Sequence, residues 1–80
     1  MNIDVVLKSF NEIFCDVLDD EDIVLTKTTN ANDIEDWDSL SHIQLVLAIE
    51  KQFDIRFTAL EIEEYSNVGE MCEGVLNKKS

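Results

Sequence analysis

Hydroxyl, carboxylate and imidazole meet in one stretch of this 80-residue chain, Asp36-Trp37-Asp38-Ser39-Leu40-Ser41-His42. Three readings of it are open. In the first, Ser39 is a nucleophile and His42 its base, since residues three apart share a helical face. That pair still needs an orienting group, an oxyanion hole and a substrate pocket, and no glycine-rich turn is present to build them. In the second, Ser39 accepts a phosphate-linked group. The unpaired backbone N–H groups and positive dipole end at a helix mouth suit a phosphate, and a helix whose apolar face points away leaves the hydroxyl exposed. In the third, Ser39 is an ordinary capping residue. Ser41 is the other hydroxyl nearby, but it is not preceded by Asp and followed by Leu, so Ser39 is the candidate.

Other reactive residues are sparse. Cys15 and Cys72 are too few for a disulfide scaffold, lie too far apart for a metal clip, and sit among apolar neighbours as buried thiols do. One histidine excludes most His-based metal sites. The acidic runs Asp19–Asp22 and Asp33–Asp38 lack the alternating oxygens, central glycine and closing glutamate of an EF-hand loop. No metal site is expected.

The elements that must position Ser39 follow from periodicity. Ile3, Val6, Leu7, Phe10, Ile13, Phe14, Val17 and Leu18 trace a stripe of period 3.6, which predicts a helix over 3–18 that stops at four consecutive acids, Asp19 to Asp22. Asn2 or Asp4 can cap its start. Residues 23–37 form a long loop in which Ile23-Val24-Leu25 has no partner strand, and Ile23, Leu25, Ile34 and Trp37 are candidate anchors to the core. Asp38 is the N-cap candidate of a second helix carrying Leu40, Ile43, Val46, Leu47 and Phe53, with Leu45 and Ile49 widening the apolar arc. After a turn at 56–59, Leu60 to Tyr65 makes one or two helical turns. Asn67 then caps a last helix with Val68, Met71, Cys72 and Val75, and 77–80 reads as a frayed, solvated end. The prediction is all-α: a small four-helix bundle of three main helices and one short one, with a long loop between the first two, in a single domain over 1–80.

Asp38-Ser39-Leu40, followed by Ile43, Leu45-Val46, Ala48-Ile49-Glu50 and Phe53-Asp54, resembles the acyl carrier protein family. Phe57, Ile62, Tyr65, Val68, Met71 and Val75 fall where that family places core residues of its third and fourth helices, so the resemblance covers nearly the whole chain. It implies that Ser39, flanked by Asp38 and Leu40, receives 4′-phosphopantetheine from coenzyme A. It further implies a non-catalytic carrier that presents acyl or related groups as thioesters to other enzymes, in fatty acid, polyketide or other specialised biosynthesis. Ile43, Val46, Ile49, Ile62, Met71 and Cys72 are candidates for lining an acyl cavity. Trp37, Gln44, Leu47, Glu50 and Lys51 are candidates for docking, and a loop anchor is the competing role of Trp37. Implied partners are a phosphopantetheinyl transferase and acyl-transferring, condensing or ligating enzymes with basic patches. An aminoacyl carrier is the near alternative. A small acidic inhibitory protein without a prosthetic group is the distant one, and it gives no reason for the serine at the helix start.

Charge narrows the partners. Eighteen Asp and Glu against six Lys and Arg give a net charge of −12, which argues against nucleic acid and anionic membranes. No apolar run approaches the roughly 20 residues that span a bilayer, and the N-terminus lacks the basic start of a secretory signal. The expectation is a monomeric, cytoplasmic protein. Its acids are uneven: the stretch from Glu12 to Asp38 is dense in carboxylates accompanied only by Lys27, whereas Gln44, Lys51 and Arg56 dilute the charge on and just after the second helix.

Overall fold

The computed structural model describes residues 2–79. They form α1 (Ile3–Val17), a short 3-10 turn (Ala31–Asp33), α2 (Ser39–Phe53), α3 (Ala59–Glu64) and α4 (Val68–Lys79). The architecture is the expected all-α bundle of three long helices and a short one.

Each helix begins where a side chain satisfies its orphan N–H groups. Asn2 accepts from Val5 N at 3.0 Å. Thr58 and Glu61 make a reciprocal capping box at α3, and Asn67 accepts from Glu70 N at 2.9 Å at the start of α4. The first two helices end alike. Asp19 (φ 52°) and Asp54 (φ 54°) adopt the left-handed conformation, and the next N–H reaches back five residues, Asp20 N to the Cys15 carbonyl and Ile55 N to the Glu50 carbonyl. This is the arrangement that usually uses glycine, with aspartate in its place. Repulsion among four acids is therefore only part of why α1 stops.

The interior is aromatic at its centre. Phe10, fully buried on α1, lies 6.4 Å from Phe14 and 6.1 Å from Phe53 between ring centroids, and Val68, Met71, Cys72 and Val75 of α4 close the other side. On α2 the buried residues are Leu45, Val46, Ile49 and Phe53, whereas Leu40, Ile43 and Leu47 are 67, 58 and 60% exposed. The apolar arc expected of α2 thus divides into an inward face and an outward stripe.

Ile23-Val24-Leu25 is not a strand. The segment is held by Asn11 of α1, whose side chain donates to the Ile23 carbonyl (3.1 Å) and accepts from Leu25 N (2.7 Å). Ile23, Leu25 and Trp37 are buried and Ile34 half-buried, so the expected anchors hold the loop down. Farther along, the Lys27 and Thr29 carbonyls accept from Gly69 N (2.9 Å) and Val68 N (2.8 Å). The loop itself caps α4, and Gly69 permits the approach, since a Cβ there would sit 2.6 Å from the Lys27 oxygen. Instead of a frayed end at 77–79, α4 runs through Lys79. Lys78 pairs with Glu61 at 2.8 Å and lies 5.7 Å over the Phe57 ring, which ties the end of α4 to α3. Ser80, the remaining residue of the expected frayed end, lies outside the described residues.

Candidate functional site

Ser39 opens α2, and its position follows from the residue before it. The Asp38 side chain accepts from Ser41 N at 2.9 Å, which fixes the helix mouth. That N–H bond is the main cause holding the Asp38 carboxyl below the usual carboxylate range. Asp38, Ser39 and Leu40 are all exposed. The two serines differ in what they do. Ser41 is half-buried and donates its hydroxyl to the Asp36 carbonyl at 2.8 Å, whereas the Ser39 hydroxyl makes no hydrogen bond to any described residue. A free hydroxyl at a helix mouth is available for modification.

Beside Ser39 lies an open groove of about 430 Å³ between the mouth of α2, the preceding loop and the α3–α4 junction. Trp37, His42, Tyr65, Asn67 and Met71 are among its walls. Trp37 is buried, with its ring edge-on to Phe14 (4.9 Å, 88°), and its Nε1–H donates to His42 Nδ1 at 3.1 Å. This bond requires an unprotonated Nδ1 and so places the proton of neutral His42 on Nε2. Partial burial also pushes the His42 pKa down. Because Nδ1 is committed to Trp37 and no other described residue bonds the ring, nothing completes a Ser39–His42 hydrolytic constellation.

Several candidate residues fall elsewhere than expected. Trp37 is 7% exposed and serves as the loop anchor, so it presents no docking surface. Gln44, Leu47 and Lys51 are exposed on α2, but Glu50 is half-buried and its carboxylate accepts from Phe57 N at 2.7 Å, bracing the α2–α3 turn. Among the cavity candidates, Ile43 points outward at 58% exposure and cannot line an interior. Val46, Ile49 and Cys72 are buried away from the groove, Ile62 is half-buried, and Met71 alone of the six reaches the groove beside Ser39. The reason is geometric: two residues on α2 differ in azimuth by about 100° per step, so Ile43 turns to solvent when Leu45 and Ile49 turn inward. Burial raises the Cys72 thiol to about 12, so it stays protonated and unreactive. Sequence reasoning missed His42 as the partner of Trp37, and Tyr65 and Asn67 as groove walls. No local pattern signals them, because these contacts join residues from different elements.

The profile of the family described as "Phosphopantetheine attachment site" matches residues 9–75. The chain belongs to the acyl carrier protein family. A curated acyl carrier protein from Cyanidium caldarium is 42% identical over 41 residues, which are 51% of this chain and 48% of that protein. The match therefore spans about half the length of that relative. The solution structure of the holo acyl carrier protein from Geobacter metallireducens superposes with a TM-score of 0.87 at 42% identity, covering 92% of this chain and 85% of that one. The acyl-carrier fold and the phosphopantetheine attachment site of the family thus extend over the helices and loop described above. Among the described residues, no helix is long and apolar enough to cross a membrane.

Proposed function

We propose that this chain is a carrier module, one domain over 1–80, that bears 4′-phosphopantetheine on Ser39 and presents acyl or related cargo to partner enzymes in fatty acid, polyketide or other specialised biosynthesis. The observation that carries the reading is the exposed Ser39 hydroxyl, unpaired at the mouth of a helix that Asp38 caps. When bound, the group supplies a terminal thiol on which cargo is held as a thioester. The chain's own residues perform no bond-making. Asp38 holds the mouth of α2 in shape, Trp37 pins the approach loop to Phe14, and the groove beside Ser39 receives the proximal part of the arm. Tethering replaces dilute cargo with a high effective concentration at each docked active site.

Docking falls on the outward face of α2, where Leu40, Ile43 and Leu47 form an exposed stripe beside Gln44 and Lys51. Glu50 and Lys51 are the charged residues within α2, so the helix is close to neutral in a chain of net charge −12. Basic patches on a phosphopantetheinyl transferase or on acyl-handling enzymes would instead meet the acidic loop that precedes Ser39, while the stripe supplies apolar contact. That placement supports a specialised carrier.

The test is intact mass. Apo-protein incubated with coenzyme A, magnesium and a broad-specificity phosphopantetheinyl transferase should gain one pantetheine adduct, and Ser39→Ala none while Ser41→Ala still gains it. A folded wild type that stays unmodified would overturn the reading.

A further inference from the structure

The sole histidine and the sole tryptophan of the chain are hydrogen-bonded to each other in the wall of the groove beside Ser39. The carrier function proposed above assigns neither of them a role toward the prosthetic group. Trp37 is fixed by the core through Phe14, and its indole lies edge to edge with His42, the centroids 5.9 Å apart and the planes at 23°. The imidazole is thereby held at one edge, Nδ1, and its other edge carries the Nε2–H. That edge has no partner among the described residues. His42 stands three residues after Ser39 on α2, within the i, i+3 reach that brings side chains to about 5–6 Å between Cβ atoms.

We propose that His42 is a positioning residue for the phosphopantetheine on Ser39: its Nε2–H, presented by the Trp37 bond at Nδ1, hydrogen-bonds the phosphodiester. The inference rests on attachment at Ser39. Neutral His42 satisfies both neighbours at once, accepting from Trp37 at one nitrogen and donating to a phosphate oxygen at the other. This relay ties the first bond of an otherwise flexible arm, through Trp37 and Phe14, to the core. It would set the direction in which the arm leaves the helix mouth. Asp38 is the charged group that shares the groove wall with His42, and Tyr65 is the other titratable one; Asn67, Ser66 and Met71 face it uncharged.

Because His42 is the chain's one histidine, its ring resonances need no assignment. The experiment titrates the imidazole by NMR in apo- and holo-protein over roughly pH 5 to 8, where a phosphodiester has no ionisation of its own. The phosphodiester ³¹P resonance is followed in the same samples. Three results are expected. The His42 pKa rises on loading by roughly half a unit, the size of a monoanion's effect about 5–6 Å away in water-like dielectric. The ³¹P resonance shows a step with the same midpoint. Ring ¹⁵N shifts at high pH place the proton on Nε2. His42→Gln, which cannot titrate, should still accept the group but lose the ³¹P step. A flat ³¹P titration with equal His42 pKa values in the two forms, or a proton on Nδ1, would overturn the positioning role while leaving the attachment intact. Absence of the adduct would overturn the attachment reading itself, and this inference with it.

Discussion

Asn11 is the residue on which the long loop turns. Its carboxamide accepts from Leu25 N at 2.7 Å and donates to the Ile23 carbonyl at 3.1 Å, and Ile23 and Leu25 are 8 and 6% exposed. Replacing Asn11 with Ala leaves the Leu25 donor unsatisfied and the Ile23 carbonyl with only the long, weak Cys15 Sγ contact at 3.7 Å. Each such loss costs about 1–3 kcal/mol, and water entry at a surface loop favours the low end, about 1–1.5 kcal/mol apiece, so the expected destabilisation is about 2–3 kcal/mol. For a chain of 80 residues the unfolding entropy is roughly 0.17 kcal/mol/K, which converts this to a fall in Tm of roughly 12–18 °C. Asn11→Asp keeps the acceptor for Leu25 N but sets a carboxylate oxygen against the Ile23 carbonyl, so it should recover only part of the loss. Thermal and urea unfolding measure both variants, and hydrogen exchange of the Leu25 amide locates the effect. Exchange there should quicken well beyond that of amides in the middle of α2. A change below about 0.5 kcal/mol in Asn11→Ala, with the Leu25 amide still protected, would refute the claim that one side chain pins the loop.

Two further perturbations test the packing around the site. Gly69→Ala places a Cβ 2.6 Å from the Lys27 carbonyl oxygen. Helix propensity alone would stabilise the protein by about 1 kcal/mol, whereas overpacking against backbone costs about 1–3 kcal/mol; net destabilisation in a urea titration is expected, and a gain would show the loop yielding freely. His42 is held neutral by burial, its folded pKa lying below the ordinary 6.5. Its contribution to stability is therefore complete above the unfolded value and is lost as pH falls through the lowered folded one. The carboxyls of Asp38 and Glu61, held low in the fold, also lose stabilisation as the pH falls, so the informative quantity is wild type minus His42→Gln. That difference should shrink as the pH is lowered through the window, and a difference independent of pH would contradict the assignment.

Much of the architecture is legible without coordinates. The 3.6 period of α1 survives because every third or fourth residue from Ile3 to Val17 must bury against the same core. Asp38 and Asn67 as caps are local events between residues three apart, so the spacing that encodes them is the spacing that makes them. Ser39 as the candidate also follows locally, from its place after an N-cap and before an apolar helix.

The remainder depends on contacts between elements. Leu40, Ile43, Leu45, Val46, Leu47 and Ile49 clothe α2 on several sides, and periodicity alone does not say which side faces in. Leu45 and Ile49 join the core with α1, Val46 is buried beside them outside that cluster, and the others are left as an outward stripe. Sequence favours Trp37 as a loop anchor over a docking residue, and its contacts with Phe14 and His42 show the anchor. The groove is likewise a product of assembly, with walls from the loop, α2, the α3–α4 junction and α4 that no sequence window contains. The sequence by itself determined where a modifiable serine stands and which helix presents it, because helix starts are written in neighbouring residues. Only the tertiary structure decided what surrounds that serine, because a ring buried against Phe14 and a carbonyl that caps a distant helix are set by residues far apart in the chain, and the bond between Trp37 and His42 forms only once that ring is held.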